Sequence, residues 1–104
     1  MNISLHPDVL EHINSFAEKE TEKINRTILY IQEYGINNLM RSKHCEYIGK
    51  YGLYEIKRKL DKQEFRAFAV ITQDTCHIIN SFTKKSQKIK QKEIKKALAR
   101  KKYL

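Results

Sequence analysis

The residues with the clearest capacity for chemistry are basic side chains that recur in three apolar segments between residues 52 and 85. Lys57 and Lys59 stand in the first segment, Arg66 stands in the second, and Lys84 is near the end of the third. Grouped cations can stabilise the extra negative charge that develops when a phosphodiester is cleaved. Without a metal, the attacking group would be the 2′-hydroxyl of RNA, so such a site would be specific for RNA over DNA.

The sequence offers little material for other kinds of catalytic site. Its three glycines are isolated, so there is no glycine-rich phosphate loop, and no serine stands in a nucleophile elbow. Metal-dependent nucleases need clustered carboxylates, and Glu55 is the only acid that we expect beside the cations. The pairs His44-Cys45 and Cys76-His77 have ligand chemistry suited to zinc, but not its usual spacing. We therefore expect core thiols, no metal site and no cofactor.

The elements that must position the cations have the composition of β-strands. Residues 52–60, 64–72 and 76–85 are rich in β-branched and aromatic side chains, and the two gaps between them are turn-like. This pattern predicts an antiparallel meander. Strands this apolar need cover on at least one face, which the flanking segments can supply.

The register of this meander decides which residues share a face. A loop of Asp61 to Glu64 would place Lys59 opposite Arg66, and side chains alternate along a strand. One face would then carry Leu53, Glu55, Lys57, Lys59, Arg66, Phe68 and Val70. The other would carry Tyr54, Ile56, Arg58, Phe65, Ala67, Ala69 and Ile71.

The third strand can join the sheet in two registers, and the turn at Asp74 allows both. The Arg66 face would gain either Ile78, Asn80, Phe82 and Lys84 or Ile79, Ser81, Thr83 and Lys85. Either register gathers three or four cations and one carboxylate on a single face. Because like charges on neighbouring strands destabilise a sheet, the cluster indicates that a polyanion binds there.

The N-terminal third has the apolar spacing of helices. Pro7 suits the first helical turn, and Gly35 ends the pattern as a C-terminal cap. The polar stretch near Glu20 indicates a helical hairpin, with one long helix as the alternative. Residues 2–5 would be a short edge strand or a disordered start, and residues 37–49 a loop containing one helical turn.

A last helix is predicted over about residues 90–101. Its apolar stripe of Ile94, Ala97 and Leu98 would dock on the sheet or on the hairpin. Three basic residues would point away from the stripe, namely Lys92, Lys96 and Arg100. The predicted class is α+β, with one domain over residues 1–104. Its antiparallel sheet of three strands, or alternatively four, would pack against the N-terminal helical hairpin and the basic C-terminal helix.

The positive charge is concentrated at the C-terminal end. The net charge is +9, yet residues 1–83 contain eleven basic and eleven acidic residues, so the whole excess lies in residues 84–104. Such a stripe is typical of a protein that binds nucleic acid or an acidic partner. No apolar run is long enough to span a membrane and no secretory signal is evident, so we expect a cytoplasmic protein that does not bind membranes.

Ordered motifs link the chain to a known family. They are G-L-Y-E-I at residues 52–56, F-R-A-F at 65–68, N-S-F-T-K-K-S-Q-K at 80–88 and K-E-I-K-K-A at 92–97. In this order they resemble the RelE/ParE superfamily of toxins, and most closely its HigB-like, phage-derived branch. The resemblance implies an α+β toxin that enters the ribosomal A site and cleaves mRNA. It also implies a cognate antitoxin, often a helix-turn-helix protein.

In that superfamily, basic residues on the sheet hold and polarise the mRNA phosphate. The matching positions here are Lys57, Lys59, Arg66 and Lys84. The resemblance implies that Arg66 and Lys84 bind the phosphate, while Lys57 or Lys59 accepts the 2′-hydroxyl proton or stabilises the developing charge. Lys57 departs from the pattern, which has arginine there, and so loses bidentate contact with phosphate. Further nucleic-acid contacts, including those with ribosomal RNA, are expected from Glu55, Lys85, Lys88, Lys92, Lys96 and Arg100.

Two points stay open at the level of sequence. Glu55 is either a helper base or, as we favour, the ion-pair partner that keeps the cationic face folded. The function has two alternatives from other classes: a ParE-like poison of DNA gyrase, and a phage RNA-binding or host-interaction module without catalysis.

Overall fold

The computed structural model describes residues 1–84 and 87–104, without the side chains of residues 87–89. Within this part of the chain there are five strands and four helices. In chain order they are β1 (Asn2–Leu5), α1 (Pro7–Asn14), α2 (Glu18–Tyr34), α3 (Ile36–Arg41), β2 (Cys45–Ile48), β3 (Leu53–Lys59), β4 (Glu64–Thr72), β5 (Thr75–Thr83) and α4 (Gln87–Lys101). The predicted α+β class is confirmed.

The strands form one mixed sheet in the order β1-β5-β4-β3-β2. The meander β3-β4-β5 is antiparallel as predicted, and β2 extends it as a further antiparallel strand. The prediction of three or four strands, all antiparallel, is wrong because β1 adds a fifth strand parallel to β5. Both edge strands have only four residues, which is too short for alternation to distinguish them from loop. The predicted loop at residues 37–49 is likewise largely α3 and β2.

The β3–β4 register differs from the predicted one by two residues. Lys57, not Lys59, lies opposite Arg66, and Lys59 lies opposite Glu64. The turn is tighter than expected because a backbone hydrogen bond of 2.8 Å closes it over residues 60–63. A shift of two keeps every side chain on its own face, so the predicted division of β3 and β4 into two faces holds.

The β4–β5 pairing contains a bulge that neither predicted register included. Arg66 lies opposite Phe82 and Phe68 opposite Asn80, but the next pair is Ala69 with Ile78. The extra residue at position 79 changes the alternation, as β-bulges do. The first predicted register is therefore correct at the end of β5 and wrong at Ile78, which belongs to the opposite face.

Helices cover both faces of the sheet. The α1–α3 face is the one that carries Ile56 and Ala67, and it forms the larger core with helices α1, α2 and α3. The α4 face carries Leu53 and Phe68 and forms a second core with Ile94 and Ala97 of α4. Of the two predicted docking places for the last helix, the sheet is the one observed.

The N-terminal helices form the predicted hairpin rather than one long helix. The break lies at residues 15–17, slightly before the expected position near Glu20. The Ser15 hydroxyl donates a hydrogen bond of 2.6 Å to the His12 carbonyl oxygen, which helps to end α1. Gly35 ends α2 as predicted, with a φ of 85° that favours glycine.

Candidate nucleic-acid interface

Lys57 and Lys59 lie at the C-terminal end of β3, just before the turn to β4, and their side chains are on the α4 face. Lys57 is partly exposed, and its Nζ atom donates a hydrogen bond of 2.9 Å to Glu46 Oε2 on the edge strand β2. Lys59 is exposed. Lys84 is also exposed, and its backbone N–H donates to the Glu64 carbonyl oxygen at 3.0 Å, which holds it near the start of β4. These lysines, with Arg66, form what we call the cation cluster.

Arg66 is the buried member of the cation cluster, with a side chain only 9% exposed. Its Nη1 atom donates to Glu55 Oε2 at 2.9 Å, and its Nε atom lies 2.6 Å from Glu64 Oε1. Glu55 is completely buried, and its second oxygen lies 3.1 Å from Lys90 Nζ on α4. Neither Arg66 Nε nor Glu55 Oε1 has hydrogen-bond geometry with these partners, so both contacts are ionic. Glu55 thus pairs with two cations from different elements.

The cluster carries more negative charge than the sequence indicated. We expected a single carboxylate, whereas Glu46, Glu55 and Glu64 all contact its cations. Glu64 stands two residues before Arg66 on β4 and so shares its face, and Glu46 is brought to Lys57 by the unpredicted strand β2. The hydrogen bond from Lys57 lowers the pKa of Glu46, with a further contribution from its charge. Arg66 is therefore buried and paired with carboxylates instead of being open to a ligand.

The predicted contacts on α4 fall into different groups. Lys92 and Lys96 are exposed as predicted. Arg100 does not point away: its Nη1 atom donates to the Ile79 carbonyl oxygen at 2.7 Å, and its Nη2 atom pairs with Asp8 on α1. Its long side chain reaches β5 just beyond the residues that pair with β1. The helical period of the sequence could not predict this contact. Lys85 and the Lys88 side chain lie outside the described residues.

An open groove adjoins the cation cluster between the β2–β3 turn and α4. Its volume is about 490 Å³, and its lining includes Glu46, Ile48, Lys50, Tyr51, Lys90 and Gln91. Lys50 Nζ lies 5.4 Å from the centre of the Tyr51 ring. An aromatic ring beside lysines is the combination that proteins use to bind single-stranded nucleic acid. Sequence reasoning missed Lys50, Lys90 and Glu46, since only the folded sheet brings them together.

The histidine–cysteine pairs have the arrangement expected of core thiols. Cys45 and Cys76 are buried and unoxidised, and burial raises the pKa of each thiol to about 12. Their neighbour His44 is exposed. Within the described part of the chain, no group of three or more metal-ligating side chains comes together.

The fold and the cation cluster define a small, strongly basic α+β protein whose sheet carries a group of charged side chains on its α4 face. Residues 11–102 match the family described as Phage derived protein Gp49-like (DUF891), and the chain belongs to this family, which is toxin-like. No curated protein and no solved structure matches the chain. Among the described residues, no helix is long and apolar enough to cross a membrane.

Proposed function

We propose that this protein is the toxin of a type II toxin–antitoxin pair, and that it cleaves mRNA on the ribosome without a metal ion. The observation that carries the proposal is the cation cluster, where partly exposed Lys57 and exposed Lys59 and Lys84 accompany buried Arg66. Membership of a phage-derived, toxin-like family and the resemblance to RelE and HigB toxins support it. The predicted partners are mRNA in the A site, ribosomal RNA and a helix-turn-helix antitoxin.

The proposed chemistry is an attack of the RNA on itself. The 2′-oxygen forms a bond to the adjacent phosphorus, the bond to the 5′-oxygen breaks, and the products are a 2′,3′-cyclic phosphate and a 5′-hydroxyl. Lys57 or Lys59 in its uncharged form, or a water molecule, accepts the proton of the 2′-hydroxyl as the new bond forms, and a protonated lysine of the cluster or a water molecule donates a proton to the departing 5′-oxygen. Lys57, Lys59 and Lys84 would stabilise the negative charge on the phosphate oxygens during this step.

Burial changes the role that we propose for Arg66. The Arg66 side chain is held by Glu55 and Glu64. We therefore propose that Arg66 positions the strands and adds to the positive potential of the cluster from its buried position, without binding phosphate directly. Lys57 is ion-paired with Glu46 in the free protein, so an RNA phosphate must displace the Glu46 carboxylate to contact Lys57. Lysines on α4, including Lys92 and Lys96, would contact ribosomal RNA through phosphates without reading sequence.

Replacing Lys57 and Lys59 together by alanine tests the proposal. In a translation extract, we expect mRNA cleavage to fall about a hundredfold or more, because charge stabilisation in the transition state is lost. Cleavage is measured by mapping the new RNA ends on ribosome-bound message. The matched control is the double variant Lys19→Ala with Lys62→Ala, which removes the same charge from exposed positions outside the cluster.

Three results would contradict the proposal. Unchanged cleavage in the Lys57/Lys59 variant would remove the cluster from the mechanism. Intact message combined with inhibited gyrase supercoiling would indicate a gyrase poison. Intact message that the protein nevertheless binds would indicate a module without catalysis.

The non-catalytic module is the second candidate because of one observation. Three carboxylates already contact the cations, and Arg66 is buried, so fewer cations are left to stabilise a transition state, whereas exposed Lys59 and Lys84 can still meet RNA phosphates. Such a module would bind RNA with a steep dependence on salt and leave every phosphodiester intact.

A further inference from the structure

A second cleft lies on the α1–α3 face, on the other side of the sheet from the cation cluster. It opens between α2, α3 and β3 with a volume of about 220 Å³. Its lining includes Arg26, Tyr30, Leu39, Ser42, His44 and Arg58. The cleft therefore combines two guanidinium groups with an aromatic ring and an aliphatic side chain.

Arg58 is the residue that makes this cleft unusual. Its Nε atom is buried and has no hydrogen-bond partner among the described residues. Arg58 also borders the apolar interior beneath the cleft, beside Ile56 and Phe65, which removes water from the inner part of the side chain. A buried donor without a partner costs about 1–3 kcal/mol. The rest of Arg58 is only partly buried and lines the open cleft, so a carboxylate that contacts its guanidinium there would be bound favourably.

The second guanidinium is also available. The Arg26 side chain is 72% exposed, and its contact with Glu22 on the same helix is a distant 3.7 Å. Guanidinium groups present their N–H donors in a planar fork that matches the two oxygens of a carboxylate. Two such groups at one cleft favour an anionic ligand.

We propose that this cleft binds an acidic segment of a partner protein, with a carboxylate on Arg58 and Arg26 and an apolar neighbour against Leu39 and Tyr30. The cleft is smaller than the roughly 300–1,000 Å³ of small-molecule pockets, so it holds one or two side chains. The ring centres of Tyr30 and Tyr34 lie 4.9 Å apart with the rings tilted by 47°, and Tyr34 is 58% exposed, which extends the aromatic surface along α2. Tyrosine and arginine are the residues that most often dominate protein–protein binding.

Charge complementarity selects the same partner. Arg26 and Arg58 place two positive charges at the cleft itself, which favours an acidic segment. RNA is also acidic, but its sugar–phosphate backbone offers nothing apolar for Leu39. The inference is independent of the proposed RNA cleavage, because the cleft and the cation cluster lie on opposite faces of the sheet.

Titration with short blocked peptides tests the proposal. The panel alternates glutamate with leucine at different spacings, and a matched panel replaces each glutamate by glutamine. We expect acidic peptides to shift the NMR signals of the Arg58 Nε–H group and the Tyr30 ring, and the glutamine peptides to leave both unchanged. Failure of every acidic peptide to shift them, or a shift produced instead by RNA in competition with the peptide, would overturn the proposal.

Two variants separate specific binding from general attraction. Arg26→Ala removes an exposed cleft residue without disturbing the core, and Lys19→Ala removes the same charge from the first turn of the same helix. Arg26→Ala should weaken peptide binding about tenfold, the loss of one charge-assisted hydrogen bond. Lys19→Ala should leave it nearly unchanged. Equal weakening in both variants would show attraction by net charge alone and would contradict the proposal.

Discussion

The two faces of the sheet are built on different principles. The α1–α3 face is an apolar core in which α1, α2 and α3 contribute buried side chains such as Val9, Ile24 and Leu39. The α4 face has a smaller apolar core and, beside it, the buried ionic group of Glu55, Arg66 and Lys90. One face is closed by hydrophobic packing over most of its area, whereas the other is partly closed by charge.

This difference indicates what each face contributes. Burying apolar surface stabilises a fold without further conditions, whereas a buried ion pair is often no better for stability than apolar residues of the same size. The ionic group on the α4 face therefore needs another explanation, and positioning the exposed lysines beside it is the one we propose. The Arg58 cleft is the exception on the opposite face, where no carboxylate of the described residues pairs with the guanidinium as Glu55 and Glu64 do with Arg66.

The largest effect should come from breaking the ionic group. Replacing Glu55 by alanine leaves Arg66 and Lys90 without their shared carboxylate, and we expect the free energy of unfolding to fall by about 3–5 kcal/mol. Urea denaturation measures the change. Glu46→Ala is the matched control, since it also removes a carboxylate from the cluster but one whose side chain is 60% exposed. Its effect should be at most about 1 kcal/mol. Equal effects of the two variants would mean that burial of Glu55 has no energetic consequence.

A second prediction compares the two apolar cores directly. Ile24 on α2 and Ile94 on α4 are both buried, at 1% and 5% exposure. Ile24→Ala should cost about 2–5 kcal/mol, as in other large cores, and Ile94→Ala should lie at the lower end of that range. The reason is that α4 lies on a smaller core and can adjust its position over the cavity. The same denaturation experiment measures both, and a larger effect at Ile94 would contradict the view that the α1–α3 face dominates stability.

Strand alternation explains why much of this arrangement could be predicted from sequence. The faces of Lys57 and Arg66 were correct although their pairing was not, because a register error of two residues preserves the face. Alternation could not predict the bulge at Ile79, which depends on how β5 fits between β1 and β4. It also could not bring Glu46 to Lys57 or Lys90 to Glu55, since those contacts join elements far apart in the chain. The face on which each basic side chain lies was thus predictable from its strand. The ion pairs that join different elements were not.

The smallest expected effect concerns a polar contact at the edge of the larger core. His12 is half-buried on α1, its Nδ1 atom lies 2.7 Å from Ser81 Oγ, and burial lowers its pKa from 6.5, partly offset by Glu93. Between the folded pKa and 6.5, the unfolded chain therefore holds more protons than the folded chain. Stability should rise with pH through that window and fall as pH decreases through it. Urea denaturation at several pH values measures the slope.

Replacing His12 by glutamine should remove this part of the pH dependence. The other three histidines of the chain are present in both proteins, so their contributions cancel when the two slopes are subtracted. The difference should be small, because His12 is only partly buried and its charged form is only partly disfavoured. Identical slopes for the two proteins would show that the α1–α3 face tolerates a charge at this position. In that case the free-energy cost of a charged side chain would differ less between the two faces than the composition of their cores indicates.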